Sequence, residues 1–369
     1  MIKGFNLRQT FVILLSSAFF VACQSNKKAE NESVVEETTV VSPMDTLNAI
    51  SDPLVTHIFT ADPSAHVFEG KLYIYPSHDI DAGIPEKDDG SHFAMRDYHV
   101  FSMETVGGEV TDHGKVLDLD DIPWAGRQLW APDAAHKDGK YYFYFPAKDK
   151  EDIFRIGVAT SDSPAGPFKA EENYIPGSYS IDPSVFEDTD GNYYMYIGGI
   201  WGGQLQRWRT GEYDPNGEEP ADDEPAINPV MAKMSDDMLT FAEDLREVKI
   251  LDENGDPILA GDHDRRFFEA PWVHKYNGKY YLSYSTGNTH YIVYAIGDNP
   301  YGPFTYQGVI LNPVVGWTNH HSIAEFEGKW YLFYHDSSIS GKTHLRSIKM
   351  TELTHRPDGT IETIDPYLN

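Results

Sequence analysis

The sequence predicts an all-β fold, a single five-bladed β-propeller domain, from three observations. A short aromatic run with Tyr three residues after a Gly occurs five times, at Gly70, Gly139, Gly191, Gly278 and Gly328. The intervals between these glycines are 69, 52, 87 and 50 residues, which suit propeller blades and exceed the repeats of helical-pair solenoids. No long stretch keeps a helical period without an interrupting Gly or Pro.

Each repeat is predicted to form a β-hairpin within one blade. The glycine follows Asp138, Asp190 and Asn277 in three repeats, and a Glu in the other two. Asp-Gly and Asn-Gly favour tight primed turns, because both residues accept the positive φ that such turns require. The aromatic residues that follow suit strands, which supports the hairpin prediction.

A second motif lies eight or nine residues before each glycine, at Asp62, Trp130, Asp182, Glu269 and His320. The innermost strands of a propeller surround its axis, so equivalent positions in five blades form a ring. We therefore expect these five side chains to face one another. Like charges gathered at an axis are costly unless a functional site uses them. The alternative is that each Asp-Pro or Glu-Ala-Pro only begins a strand.

The charge balance excludes nucleic acid as a partner. The chain has 58 acidic and 29 basic residues and a net charge of −29. This field repels nucleic acid and anionic lipid. A neutral carbohydrate is compatible with it, and aromatic residues, 13 % of the chain, suit both strand packing and stacking on sugars.

Residues 1–22 are predicted to be a lipoprotein signal peptide. Lys3 and Arg8 precede an apolar run that is too short for a stable membrane span. Ala22 then precedes Cys23, the single cysteine, as in a bacterial lipobox. We therefore expect an exported bacterial lipoprotein, membrane-anchored through Cys23 in the periplasm or at the cell surface. An ordinary signal peptide with an incidental cysteine is the alternative.

Residues 23–50 are acidic and lack any convincing period, so they are predicted to be a flexible tether. Residues 51–369 are assigned to the propeller domain. Two long insertions interrupt its blades, His78–Arg96 in the first and Arg209–Pro229 in the third. Long loops on a rigid propeller commonly form the walls of a site, although the second insertion is equally well explained as solvated decoration.

Six motifs resemble glycoside hydrolase family 43, the five-bladed propeller glycosidases. They are Ala61–Ser64, Trp130–Asp133, Ser180–Phe186, Phe268–Trp272, Asn319–Ile323 and His344–Ile348. Together they span essentially all of the chain after residue 50. The resemblance implies an inverting hydrolase that releases arabinofuranose or xylose from plant cell-wall polysaccharide, with arabinoxylan, xylan or arabinan fragments as substrates.

The resemblance also implies a role for each acidic residue. Asp62 would be the general base that activates water, and Glu269 the general acid that protonates the leaving oxygen. Asp182 would orient the acid and tune its pKa. Local sequence agrees with this division, because aromatic residues on both sides of Glu269 penalise its charged form and raise its pKa.

Three further positions follow from the resemblance. Trp130 would be an apolar wall for the sugar, with simple core packing as the alternative. Arg346 would contact substrate, with a structural salt bridge as the alternative. His320 matches a histidine that in family members helps to hold a calcium ion on the axis, largely through water. Calcium prefers oxygen ligands, so a buried structural histidine is an equal interpretation. We expect the reaction to require no cofactor.

Exo action is favoured because the first insertion would block one end of a cleft. An endo-arabinanase of the same family is an alternative. A fructan- or sucrose-cleaving propeller is another, but its Asn-Asp-Pro-Asn-Gly motif is missing. The non-enzymatic alternative is a glycan-binding surface lipoprotein, against which the three retained carboxylates argue.

Overall fold

The structure, a computed structural model, describes residues 48–368 and has an all-β fold. Strand β1 (Asn48–Ala49) pairs with the last strand, β23 (Tyr367–Leu368). Residues 48 and 49, which the sequence placed in the tether, are therefore part of a sheet. The predicted signal peptide, Cys23 and residues 24–47 lie outside the described residues. Among the described residues, no helix has the length and apolar character needed to cross a membrane.

The first two blades are antiparallel sheets. Blade one has four strands: β2 (Phe59–Phe68), β3 (Lys71–Asp79), β4 (Asp97–Met103) and β5 (Thr111–Asp118). Blade two has five: β6 (Ala125–Arg127), β7 (Asp133–Lys137), β8 (Lys140–Asp149), β9 (Phe154–Ser161) and β10 (Lys169–Ala170). Both β6 and β7 pair with β8, so β7 remains the innermost full strand.

The remaining blades follow in chain order. Blade three has four strands: β11 (Ser184–Glu187), β12 (Tyr193–Ile197), β13 (Val230–Lys233) and β14 (Arg246–Glu247). Blade four has five: β15 (Ile250–Leu251), β16 (Glu269–Tyr276), β17 (Lys279–Ser285), β18 (Ile292–Gly297) and β19 (Phe304–Leu311). Blade five has three: β20 (Ser322–Phe326), β21 (Lys329–Asp336) and β22 (Ser347–Leu353). Three short 3₁₀ segments lie between strands: Leu119–Asp121, Trp201–Gly203 and Leu205–Trp208.

The innermost strands close a ring. Strand β2 contacts β7, β7 contacts β11, β11 contacts β16, β16 contacts β20, and β20 contacts β2 again. The five-bladed propeller prediction is therefore confirmed. The start of the described chain supports this closure, because Leu54 N donates to Ile348 O at 2.9 Å and Pro53 bridges Lys349 on the outer strand of blade five. An otherwise open sheet edge is thereby covered.

Four of the five predicted hairpins have a tight turn with two residues of positive φ. In blade one, for example, Glu69 has a φ of 53° and Gly70 a φ of 78°. Blade three differs, since Glu187 pairs with Tyr193 and leaves five residues, 188–192, in the turn. This longer turn changes the spacing between the repeated glycine and the inner strand.

Buried tyrosines connect neighbouring blades. Tyr75, Tyr144 and Tyr196 are each the fifth residue after a repeated glycine, and all three are fully buried. Their hydroxyls donate to carbonyls of the next blade, at Pro164 (2.7 Å), Met238 (2.9 Å) and Pro300 (2.6 Å). A buried hydroxyl needs such a partner, so the repeat fixes the spacing between blades as well as their number.

Candidate active site

Left-handed backbone conformations set the positions of two of the acidic residues. Asp62 has a φ of 51° and lies in a bulge of the β2–β3 pair, where the register shifts between Ala61 and Ser64. Asp182 has a φ of 57° just before β11. Asp tolerates this conformation better than most residues, yet each also precedes a proline, which adds strain of the kind found at functional sites.

All six predicted site residues line one pocket. The pocket has a volume of about 210 Å³, and Asp62, Trp130, Asp182, Glu269, His320 and Arg346 contribute to its wall. The predicted convergence of the three carboxyl groups on the propeller axis is thus present in the structure. The alternative that these motifs only begin strands does not account for a shared pocket.

The predicted equivalence of the five ring positions is wrong by one residue in blades two and four. Strand pairing makes Ala131 and Ala270 the equivalents of Asp62, so Trp130 and Glu269 lie one residue earlier. In blades with a tight turn, the position equivalent to Asp62 precedes the repeated glycine by eight residues. The offset is nine only in blade three, whose turn is longer.

Asp62 is held as a carboxylate by its neighbours. Arg346 donates two hydrogen bonds to it, from Nη1 at 2.9 Å and Nη2 at 3.2 Å, and Ser77 donates a third at 2.5 Å. Burial favours the protonated acid, but the Arg346 charge and these hydrogen bonds outweigh it and lower the pKa of Asp62 to about 2. Asp62 is therefore ionised at neutral pH.

His335 fixes the backbone of Asp62. The Asp62 N–H donates to His335 Nδ1 at 3.0 Å, so the proton of the neutral ring lies on Nε2, 3.0 Å from the Thr318 carbonyl. Burial and the nearby Arg346 charge lower the pKa of His335 to about 3, which keeps the ring neutral. This histidine thus positions the base without competing for its proton.

Arg346 is itself clamped in place. Asp79 accepts hydrogen bonds from its Nε at 2.9 Å and its Nη2 at 2.8 Å, and Thr318 accepts one from Nη1 at 3.0 Å. The guanidinium also lies over the ring of Phe93 at 4.9 Å. The salt-bridge interpretation of Arg346 is confirmed, and the same side chain lines the pocket.

Glu269 lies in the opposite environment. Within the described chain, no side chain or backbone group donates a hydrogen bond to its carboxyl group, and the apolar residues Phe268 and Ile181 line the same wall. Burial and the charge of Asp62 raise the pKa of Glu269 to about 8. Glu269 therefore carries a proton at neutral pH.

Asp182 contacts the backbone next to Glu269. It accepts a hydrogen bond from Ala270 N at 2.9 Å, and Ala270 is the left-handed residue that follows Glu269. Burial and the neighbouring Glu269 and Asp62 raise the pKa of Asp182. Asp182 therefore both holds the bulge that directs Glu269 and couples electrostatically to it.

His320 lies between the two aspartates. Its Nδ1 is 3.7 Å from an oxygen of Asp182 and 4.0 Å from one of Asp62, too far for hydrogen bonds. Burial lowers the pKa of His320 to about 4, so the imidazole is neutral and one of its two nitrogens is available as an acceptor or ligand. His321 has a different environment, with its Nε2 2.6 Å from Ser283 Oγ.

Trp130 packs into the core and also lines the pocket. Its ring packs against Phe154, with centroids 4.6 Å apart, and its Nε1 donates to the Phe93 carbonyl at 2.8 Å. Gly90 approaches so closely that a Cβ there would lie 2.5 Å from the indole. The insertion of blade one is thus packed against Trp130 and forms part of the pocket wall, as predicted.

The second insertion acts indirectly. Its Glu219 accepts a hydrogen bond from Trp201 Nε1 and one from Arg266 at 2.6 Å. Trp201 lines the pocket beside Trp317, with ring centroids 5.6 Å apart. This insertion is therefore more than solvated decoration, because it orients an aromatic wall of the pocket.

Sequence reasoning missed several residues of the site: Ser77, Asp79, Phe93, Trp201, Trp317 and His335. Ser77 and Asp79 end a strand without any repeated motif, and His335 lies on the second strand of its blade. The one available signal was the cluster of polar residues Ser77, His78 and Asp79 at the end of an aromatic strand.

Comparison with known proteins is consistent with this geometry. The model of the family "Glycosyl hydrolases family 43" matches residues 50–361. A xylosidase/arabinosidase of Bacteroides ovatus is 63 % identical over 314 residues, covering 85 % of this chain and 97 % of that protein. Xylosidase/arabinosidase 43A of Humicola insolens is 60 % identical and covers 85 % and 99 %.

Solved structures resemble the whole propeller. A β-xylosidase/α-arabinofuranosidase from a compost microbial metagenome, solved with xylotriose in a calcium-free form, has a TM-score of 0.85 and 75 % identity. That match covers 87 % of this chain and 99 % of the other. An enzyme of Xanthomonas citri in complex with xylotriose has a TM-score of 0.83 and 60 % identity, covering 87 % and 95 %.

Proposed function

The chain belongs to glycoside hydrolase family 43, and on that premise we propose how it releases terminal pentose units from xylo- and arabino-oligosaccharides. The protein is a glycoside hydrolase that releases pentoses. We assign Asp62 as general base, Glu269 as general acid and Asp182 as the residue that orients the acid. One observation carries this assignment: two carboxyl groups of one pocket have oppositely shifted pKa values, about 2 and about 8.

The reaction follows from these protonation states. Asp62 takes a proton from a water molecule, whose oxygen attacks the anomeric carbon of the bound pentose. The bond from that carbon to the leaving oxygen breaks as Glu269 gives its proton to this oxygen. The enzyme is left with a protonated Asp62 and an ionised Glu269, and proton exchange with solvent restores both. The attack inverts the configuration at the anomeric carbon.

The substrate is held by groups that do not react. Each of the five N–H groups of Arg346 already donates to a protein acceptor, so this side chain supports the sugar by lining the pocket and holding the base rather than by donating to sugar hydroxyls. Trp130 supplies an apolar face for the sugar ring, and Trp201 and Trp317 offer further aromatic surface at the wall. Xylotriose, which is bound in two of the similar structures, is the first substrate to test.

Exo action is supported by the first insertion. Glu86, Lys87 and His92 line the pocket together with residues of blades three and four, so the insertion closes one side of it. A pocket closed at one side accepts a chain end more readily than an internal segment. We therefore favour a β-xylosidase/α-L-arabinofuranosidase over an endo-arabinanase.

A product analysis tests this proposal. Wild-type protein is incubated with xylotriose, linear arabinan and aryl β-xylosides and α-L-arabinofuranosides, and products are followed by chromatography and by NMR of the anomeric proton. We expect xylose as the first product from xylotriose, with α-xylose appearing before mutarotation. Internal fragments of arabinan would instead support the endo enzyme, and initial β-xylose would contradict inversion.

A calcium ion at His320 is a further part of the proposal. The imidazole is neutral, and at 3.7 and 4.0 Å from the aspartates its Nδ1 makes no hydrogen bond to them, which leaves it available to a cation or to a water in the cation's shell. Calcium takes six to eight oxygen ligands, so one imidazole would supply a small part of its shell. The ion would add positive charge near the two carboxylates. Calcium titration of wild type and His320→Ala tests this, and equal binding by both would exclude the site.

We also propose export and lipid anchoring through Cys23, on the strength of the signal-like residues 1–22. The test is incorporation of a labelled fatty acid in a bacterial host. Wild type is expected to carry the label in the membrane fraction and Cys23→Ala to lose it. Label retained by Cys23→Ala would contradict the proposal.

A further inference from the structure

A second cluster of ionisable side chains lies outside the catalytic pocket, on blade one. Among residues 48–368 it is the group in which one ligand atom each of His78, Asp97 and His99 lies within 4.8 Å of the others. Ser77 pairs with Tyr98, so His78 lies directly opposite Asp97 on the neighbouring strand. Asp97 and His99 are two apart on one strand and therefore point to the same side of the sheet.

This side of the sheet faces away from the catalytic carboxylates. Leu72 and Phe101, on the same faces of β3 and β4, pack with residues of blade five. Asp79, the next residue after His78, points to the other side and holds Arg346. None of the three cluster residues lines the catalytic pocket. The cluster is therefore a separate feature, which the mechanism does not use.

A carboxylate stands behind the cluster. Asp112 lies 3.4 Å from Nδ1 of His99 and 2.7 Å from Nε2 of His57. A carboxylate bonded to Nδ1 leaves Nε2 of His99 unprotonated and directed elsewhere, which is the arrangement that orients metal-binding histidines in proteins. His78 Nδ1 lies 2.5 Å from Asp97, which is a member of the cluster and not an outer carboxylate.

The cluster is also accessible. The side chains of His78, Asp97 and His99 are 18 %, 21 % and 16 % exposed, so an ion from solvent reaches them without local unfolding. The strongly negative net charge of the protein raises the local concentration of cations. The cluster therefore has an entry path for an ion as well as suitable ligands and an outer shell, which are the features expected of a metal site.

We propose that His78, Asp97 and His99 form a binding site for a divalent transition metal of the zinc class. Two imidazoles and one carboxylate are ligands that zinc prefers, whereas calcium and magnesium favour oxygen alone. Zinc bonds of about 2.0–2.2 Å hold ligand atoms about 3.3 Å apart. Small side-chain rotations would therefore separate the bonded pair His78 and Asp97, 2.5 Å apart, and bring His99 closer. The fourth position remains for water, and Asp112 holds His99 in the binding orientation.

The site links two strands of blade one beside the segment that carries His57. A bound ion would therefore oppose separation of β3 from β4 and stabilise the propeller near the seam between its first and last blades. This role is structural and leaves the reaction to the axis residues.

Zinc binding to the full chain tests the proposal. Protein stripped of metal with a chelator is titrated calorimetrically with zinc in excess calcium, which saturates any calcium site. Wild type is expected to bind one equivalent and to gain thermal stability. His78→Gln and His99→Gln should each weaken binding by at least about 100-fold, and Asp112→Asn by about 10-fold, because outer-shell changes alone cost 10–100-fold.

His113→Gln is the matched control. His113 is an exposed histidine of the same sheet, bonded to Ser102 rather than to the cluster, so its variant should bind zinc as wild type does. Pentosidase activity and circular dichroism verify that each variant is folded. The site would be overturned if wild type bound no zinc, or if His78→Gln and His99→Gln bound zinc as tightly as wild type does, and these histidines would then serve only as ion-pair partners.

Discussion

Asp62 and Glu269 share one pocket but lie in opposite surroundings. Around Asp62 the structure collects a guanidinium, a hydroxyl and an imidazole, and three hydrogen bonds reach its carboxylate from Arg346 and Ser77. Glu269 is surrounded by apolar side chains, and no group among the described residues donates a hydrogen bond to its carboxyl group. Asp62 is buried and Glu269 is partly buried, and burial raises the pKa of both, so burial alone does not distinguish them.

The difference teaches that the position of Arg346 separates base from acid. Its charge lowers the pKa of both carboxyl groups, but of the two it donates hydrogen bonds only to Asp62. The charge that Asp62 then retains raises the pKa of Glu269. One ionised group thus helps to keep its partner protonated, as inverting hydrolysis requires.

The largest expected effect is that of Asp62→Asn. The amide accepts no proton from water, so kcat should fall by about 10³–10⁴-fold, at the upper end for general base catalysis. The loss should be the same for substrates with good and poor leaving groups, because the base acts on water. Steady-state kinetics with xylobiose and an aryl xyloside measures it. Retention of a tenth of the wild-type rate would remove Asp62 from the base role.

Glu269→Gln should lower kcat less than Asp62→Asn does, and the loss should depend on the leaving group of the substrate. Without a proton donor, kcat on xylobiose should fall by about 10²–10³-fold, because the leaving alkoxide is a poor leaving group. With dinitrophenyl xyloside, whose leaving group needs little protonation, the loss should be under about tenfold. The ratio of the two losses is the measurement. Equal losses on both substrates would break the proposed contrast between the two carboxyl groups.

Arg346→Gln tests the cause of the contrast. Removal of the charge should raise the pKa of both Asp62 and Glu269, so both limbs of the pH profile should move to higher pH. We expect a loss in kcat/KM of about 10–100-fold at neutral pH, in keeping with the loss of a charged hydrogen bond to the base. Arg346→Lys is the control, which keeps the charge but loses the fork. If the low-pH limb of Arg346→Gln stayed at the wild-type position, this account would be contradicted.

The smallest expected effect is on the free energy of unfolding. Its pH dependence has opposite signs for Asp62 and Glu269. Asp62 has a depressed pKa, so its contribution is present above about pH 4 and is lost as pH falls through about 2. Glu269 has a raised pKa, so its contribution is present below about pH 4.5 and is lost as pH rises through about 8.

Asp62→Asn should therefore lower the melting temperature at pH 7, whereas Glu269→Gln should raise it at pH 9 and leave it unchanged at pH 4. Shifts of about 2–5 °C are expected for a domain of this size. Differential scanning fluorimetry at several pH values measures both. If both variants changed the melting temperature in the same direction at pH 9, the environments of Asp62 and Glu269 would be alike.

Much of the fold followed from the repeats. Five Gly-to-Tyr motifs predict five blades because a propeller needs one inner hairpin per blade, and the contacts between inner strands close the ring. The site was predictable to the same extent, because Asp62, Asp182 and His320 occupy repeated positions.

What was missed lies outside that repetition. Asp79 and His335 act from second strands, where the sequence has no periodic signal and tertiary contacts alone bring them to Asp62 and Arg346. The one-residue error for Trp130 and Glu269 arose because the turn of blade three is longer than the others. Turn length depends on local hydrogen bonding, here Gly191 N to Asp188 O, which the dipeptide Asp-Gly does not reveal.

The pH dependence of kcat/KM tests the central claim most directly. With xylobiose, whose leaving group needs the acid, wild type should be active between a limb near pH 2, set by Asp62, and a limb near pH 8, set by Glu269. In Glu269→Gln the upper limb should disappear while the lower limb stays. Persistence of the upper limb in that variant, or a lower limb in wild type above about pH 5, would contradict the assignment of Asp62 as the ionised base and Glu269 as the protonated acid.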